Sequence, residues 1–194
     1  MIMMLMGVVI LIFIVVIHEL AHGWAALYLG DPTAKLAGRL TFNPIAHLEW
    51  VGSVLVPGVL LVTGVPFLLG WAKPVPVSMQ YFKQPFRDMM WVALAGPVSN
   101  FIMAIVGSLF IHMVLIPFQV VVPDVVIQLV WLFIQLNIVL AFFNLIPIPP
   151  LDGSRILMYF LPDAMKAHWA RLEPYGFVGI ILFLYFNGFD WMYR

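Results

Sequence analysis

The chain has 194 residues, 64% of them hydrophobic and only 9% charged, with mean hydropathy +1.07; a soluble domain carries roughly 25% charged residues, so the medium is the lipid bilayer. A formal net charge of +0 offers no field for nucleic acid, and the absence of cysteine excludes disulfides and thiolate ligands, leaving any metal to His, Asp or Glu. The length predicts a single integral-membrane domain, 1–194.

In chain order, apolar runs occupy 2–29, 51–70, 89–116, 125–146 and 175–189. A spanning helix needs about 20 such residues, which the first, third and fourth runs supply easily. The first 17 residues lack a basic start and meet a polar cluster at once, so no cleaved signal peptide is expected. The second run is interrupted by Pro57, Gly58, Gly64, Pro66 and Gly70, and broken backbone at membrane depth persists only where protein or water covers it. The last run is short, but Tyr175 and Trp191 can place its ends at the two interfaces. "LAGRLTF" (36–42) and "WAKPVPV" (71–77) read as strands or extended loops, and 162–173 as a polar interfacial helix. The expected fold is an all-α polytopic membrane protein, with about four spanning helices, a re-entrant segment and short β-like hairpin elements.

Within the first run stand His18, Glu19 and His22. An ionisable side chain near a bilayer centre costs on the order of 3 kcal/mol or more, so three in five positions need one explanation. On a helix His18 and His22 share a face one turn apart and can grip one ion; Glu19 lies beside them, able to hold the attacking water and take its proton. The alternative is a mutually hydrogen-bonded polar cluster without metal, which is hard to keep in lipid.

Two imidazoles leave a tetrahedral zinc one protein ligand short, with the fourth position open for water. The candidate is Asp152 in "FFNLIPIPPLDGSRIL". Pro147, Pro149 and Pro150 cannot continue a helix, so the chain turns extended there and can aim a carboxylate sideways. Asp152 also suits the N-cap of the helix beginning "GSRILMYF", and the two roles are compatible.

"HELAH", "GRLTFNP", "GWAKPVPV", "AGPVSN" and "NLIPIPPLDG", in this order, resemble the site-2 protease family of intramembrane zinc metalloproteases, most closely its short bacterial and archaeal members without PDZ or CBS domains. The resemblance spans about residues 14–160. It implies Zn2+ on His18, His22 and Asp152, Glu19 as catalytic base, and Asn144 in contact with the substrate backbone or the reacting oxygen. An interhelical hydrogen bond is the other reading of Asn144. "HLEW" (47–50) departs from the His-hydrophobic-Asp-Pro of short members, which leaves His47 and Glu49 without an assigned role.

The other polar residues mostly suggest packing. Asn137, Ala141 and Asn144 form one stripe at helical spacing, open to either facing the site or packing; Gly96, Asn100 and Ala104 form another, of the small-residue kind that lets membrane helices approach. Neither His112 nor His168 is expected to bind metal.

A shared zinc site requires His18, His22 and Asp152 on one side of the membrane. They meet if 51–70 is re-entrant, and separate if it spans. With 51–70 re-entrant, eight of the nine Lys and Arg residues (Lys35, Arg39, Lys73, Lys83, Arg87, Arg155, Lys166, Arg171) fall on one face, leaving Arg194 opposite. By the positive-inside rule that face is the cytosol of a prokaryotic cell, with the N-terminus outside.

The expectation is an intramembrane metalloendopeptidase acting on transmembrane-helix protein substrates, whose unwound strand pairs with 36–43 and 71–77 by β-addition. Nucleic acid is not expected as a partner, and the oligomeric state is open. A metal-ion transporter or a catalytically inactive membrane-binding relative are the alternatives; the first calls for polar residues along a whole path, whereas here they cluster at one depth.

Overall fold

The computed structural model describes residues 2–55, 72–118, 122–172 and 175–176. Helix α1 (Ile2–Tyr28) is rich in Val and Ile, which favour strands in water. In hydrocarbon each N–H and C=O needs a partner within its own segment, so the run closes on itself as a helix. It ends in paired bonds from Gly30 N to Leu27 O (3.1 Å) and Asp31 N to Ala26 O (2.9 Å), the Schellman pattern. Helix α2 (Thr33–Leu36), a 3-10 turn (Pro44–His47) and a π-helical turn (Trp50–Leu55) follow. Residues 72–78 are irregular and lead through a 3-10 turn (Met79–Tyr81) into α3 (Pro85–Phe110), which continues as a π-helical turn to Leu115. Helices α4 (Asp124–Asn144), α5 (Asp152–Phe160) and α6 (Asp163–Ala170) complete the described chain.

Among the described residues three helices are long and apolar enough to cross a membrane: Leu5–Tyr28, Pro85–Leu115 and Asp124–Asn144. The last and shortest, 21 residues, is about 31 Å long, roughly the hydrocarbon thickness. Helix α3 runs antiparallel to both its neighbours. Against α1, His22 lies at Val92 and His18 at Asn100. Against α4, the Phe101 and Phe142 rings meet at 5.4 Å, and Gly107 lies against Ile134. Helices α1 and α4 therefore run in the same direction, and α5 meets His18 and His22 of α1 through Asp152 and the end of α4 through Gly153. Two apolar clusters flank this layer. Ala26, Phe82, Met89 and Val92 pack near the end of α1, and Ala104, Ile111, Leu115 and Ile134 pack toward the opposite end. His18 and His22 lie between them.

The expected mainly helical architecture is present, but the β-like elements are not: the described residues contain no strand. The two segments meet through the Arg39 side chain, and 72–78 is held further by His47, Glu19 and Asp31, without a ladder. Arg39 Nη2 donates to Lys73 O at 2.6 Å, Lys73 N to His47 O at 2.9 Å, Val75 N to Glu19 Oε2 at 2.8 Å and Ser78 N to Asp31 Oδ2 at 2.6 Å. Carboxylates take Val75 N and Ser78 N, the Arg39 guanidinium takes Lys73 O and the His47 carbonyl takes Lys73 N, so these groups are satisfied without a partner strand. The run 175–189, expected to be a fourth span, lies outside the described residues apart from Tyr175 and Gly176, as does 51–70 beyond Leu55. The described flanks of 51–70 are tied together by the Lys73–His47 bond. The polar helix expected at 162–173 is α6, where Lys166 bonds Asp163 at 2.7 Å and lies 4.3 Å from the centre of the Phe86 ring.

Candidate metal centre

Helical spacing places His18 and His22 one turn apart on the face of α1 that meets α3. Both are buried, with ring centroids 4.6 Å apart and nearly perpendicular planes (87°). His18 Nδ1 lies 2.8 Å from Asn100 Oδ1, and His22 Nδ1 lies 2.7 Å from the Val92 carbonyl oxygen. Both oxygens only accept, so each Nδ1 carries its ring's proton and each Nε2 of a neutral ring presents a lone pair. The two Nε2 atoms face each other at 3.0 Å.

The third group arrives from α5. After α4 the three prolines end the helix, as the sequence predicts, and the chain re-enters a helix at Asp152. Leu151 occupies the cap position and no side chain caps the helix, so Asp152 is the first helical residue and not its N-cap. Gly153 sits directly on the end of α4. A Cβ there would lie 2.2 Å from Leu145 O and 2.5 Å from Ile146 O, and only glycine permits that approach. The result brings Asp152 Oδ2 to 3.2 Å from His18 Nε2 and 3.3 Å from His22 Nε2.

Oδ2 is buried and receives no hydrogen bond, because the atoms nearest it carry no proton. Three electron-pair donors thus converge on one point, an arrangement that a cation reconciles. Zinc held tetrahedrally at about 2.0–2.1 Å requires donor–donor edges of about 3.3 Å. The edges here are 3.0, 3.2 and 3.3 Å, so the residues present fit zinc. His18, His22 and Asp152 are also the one group of three or more such side chains close enough to hold a metal among the described residues.

Glu19 is half-buried on the next position of α1, with Oε2 bound by Val75 N. Asn144 is not drawn into the triad. It ends α4 with Nδ2 donating to Leu140 O at 3.0 Å, a bond within its own helix and not between helices. His47 is buried outside the cluster, its Nε2 on Thr41 O at 2.8 Å, and Glu49 Oε2 accepts from Gly52 N at 3.0 Å. His112 and His168 are exposed and bond carbonyls of their own helices, Ser108 O and Ala164 O. Asn137 is fully buried and donates to Phe133 O at 2.9 Å.

Sequence reasoning missed what surrounds the triad. Val92, Gly96 and Asn100, each one turn apart on α3, form the wall against which both imidazoles lie. A Cβ on Gly96 would sit 2.4 Å from His22 Nε2 and 2.6 Å from His18 Cε1. The available signal was one amide in an apolar run four residues after a glycine, which reads equally well as packing. Asp31 was also missed. It is fully buried and its carboxylate takes Thr33 N, Thr33 Oγ1 and Ser78 N, tying the end of α1 to 72–78.

The family model for peptidase family M50 matches residues 6–122 and 111–185. A Bacillus subtilis (strain 168) protein named "Putative zinc metalloprotease YwhC" is 41% identical over 181 residues, covering 91% of this chain and 79% of that protein. Two proteins named "Putative zinc metalloprotease Rip2" are also similar. The one from Mycolicibacterium smegmatis is 26% identical over 168 residues and the one from Mycobacterium tuberculosis (strain Erdman) 28% over 169; each match covers 87% of this chain and 62% of the relative. No solved structure matches. The family model covers both the helix of the two histidines and the turn of Asp152, and with that the chain belongs to peptidase family M50, the site-2 protease family.

Proposed function

We propose that the protein is an intramembrane zinc metalloendopeptidase that hydrolyses peptide bonds in or near transmembrane helices of membrane-protein substrates. One observation carries the reading: three buried ligand atoms on two helices converge within 3.3 Å while the other nitrogen of each imidazole is already committed to an oxygen. His18, His22 and Asp152 hold the zinc. Zinc bound there supplies Lewis acidity toward water and a peptide carbonyl. Glu19 is the general base, taking the proton of the attacking water and delivering it to the leaving amine nitrogen. Val75 N–H holds Oε2 of that carboxylate and so fixes its orientation. Asn144, at the end of α4, contacts the substrate backbone once its intrahelical bond opens.

The substrate helix has its amides satisfied internally, so a stretch of it unwinds before attack. The irregular stretch 72–78, next to Glu19, is the surface along which the unwound segment lies. The site works near the cytosolic side of a prokaryotic cell membrane. The basic residues support this: Lys35, Arg39, Lys73, Lys83, Arg87, Arg155, Lys166 and Arg171 lie in segments that join or follow the helix ends nearest the triad. Zinc content together with cleavage of a model transmembrane substrate, wild type against Glu19→Gln, tests the reading. Zinc-free protein, or cleavage that persists in the variant, overturns it.

A further inference from the structure

We infer that Asn100 is a positioning residue for the metal site, holding His18 in the one tautomer and ring orientation that leave Nε2 free to ligate; this rests on the zinc reading above. His22 needs no such side chain, because its Nδ1 meets a main-chain oxygen, Val92 O, at 2.7 Å. His18 lies two turns further along α3, where the antiparallel register brings a side-chain position to it. Asn100 is fully buried there, with Oδ1 2.8 Å from His18 Nδ1.

The bond sets the chemistry of the opposite nitrogen. An acceptor at Nδ1 keeps the proton there and leaves the lone pair on Nε2, facing His22 Nε2 at 3.0 Å and Asp152 Oδ2 at 3.2 Å. A donor at that place would invert the tautomer and put a proton where the ion belongs. Metal-bound imidazoles generally donate their second N–H in this way, and loss of the partner typically weakens metal binding 10- to 100-fold. The other atom of the amide is informative as well. Asn100 Nδ2 is buried and unpartnered. The side chain is therefore kept in an apolar helix for its oxygen and not for its NH2 group. It follows that an oxygen can replace that NH2 without losing a hydrogen bond, and that a branched apolar side chain of similar size cannot replace the amide.

The test is zinc affinity of the detergent-purified full chain by chelator competition, for wild type, Asn100→Leu, Asn100→Asp and His18→Ala, with circular dichroism and gel filtration reporting the fold. Asn100→Leu is expected to bind zinc 10- to 100-fold more weakly, and Asn100→Asp to bind at least as tightly as wild type. Leu and Asp variants weakened equally, or a Leu variant unchanged, overturn the inference. If Asn100→Leu does not fold, Asn100→Asp decides alone, and a tenfold loss there overturns it. His18→Ala separates the two levels. Should it keep full affinity, the metal site itself is wrong; should it lose zinc while Asn100→Leu does not, only the role of Asn100 falls.

Discussion

Gly96→Ala adds one methyl group at the tightest point of the site. Its carbon would lie 2.4 Å from His22 Nε2, 2.5 Å from His22 Cε1 and 2.6 Å from His18 Cε1, whereas ordinary contacts begin near 3.4 Å. Something must therefore move by about 1 Å, either the two rings or the whole of α3. Metal sites tolerate ligand displacements of roughly ±0.2 Å, and a misplacement of about 1 Å can lower an enzymatic rate on the order of 100-fold. The fold responds differently. Alanine improves helix propensity by about 1 kcal/mol over glycine, against an overpacking penalty of about 1–3 kcal/mol, so the net change in stability is small. We expect the purified variant to melt within a few degrees of zinc-free wild type while its zinc affinity falls at least tenfold and its cleavage of a model transmembrane substrate about 100-fold. Zinc by mass spectrometry, thermal unfolding in detergent and gel-based cleavage read the three quantities. Wild-type zinc affinity and turnover in Gly96→Ala would refute the assignment of the His18–His22 face as the metal centre.

Glu19→Gln is expected to keep fold and zinc but lose cleavage by 100-fold or more, since the amide cannot take a proton; substantial turnover would move the base elsewhere. Asp152→Ala and His22→Ala should each lose most of about one zinc per chain, and full stoichiometry in Asp152→Ala would show that the third ligand is misassigned. Asp31→Ala removes the acceptor of Thr33 N, Thr33 Oγ1 and Ser78 N; with charged hydrogen bonds at about 1.5–3 kcal/mol each it should lower stability by several kcal/mol, read as a fall in the thermal midpoint, and an unchanged midpoint would show that the tie between α1 and 72–78 is dispensable. In this cysteine-free chain, Lys35→Cys and Lys83→Cys should react alike with an impermeant maleimide in intact cells, and Asp124→Cys oppositely; different accessibility at 35 and 83 would end the re-entrant reading of 51–70.

The residues that would touch the metal were legible because their chemistry is local. Two histidines four apart share a helix face wherever that helix packs, and three prolines ahead of Asp152 end a helix in any surroundings. Hydropathy likewise marked the three helices, since lipid leaves an apolar run no other way to satisfy its backbone. Residues 36–43 and 71–77 read as strands or extended loops, and the sequence left that choice open because a strand and an irregular stretch share the same composition. What separates them is the partner of each N–H: Lys73 N meets the His47 carbonyl, while Val75 N and Ser78 N meet Glu19 and Asp31, 56 and 47 positions away. Asn100 shows the same limit. Its amide sits 82 positions from His18, and in sequence it resembles an ordinary packing residue between Gly96 and Ala104. Only the antiparallel register of α1 against α3, with Gly96 leaving room for both imidazoles, turns the stripe of Val92, Gly96 and Asn100 into the wall of a metal centre. Periodicity along one helix tells which side chains share a face; which face of another helix they meet is a property of the packed bundle alone.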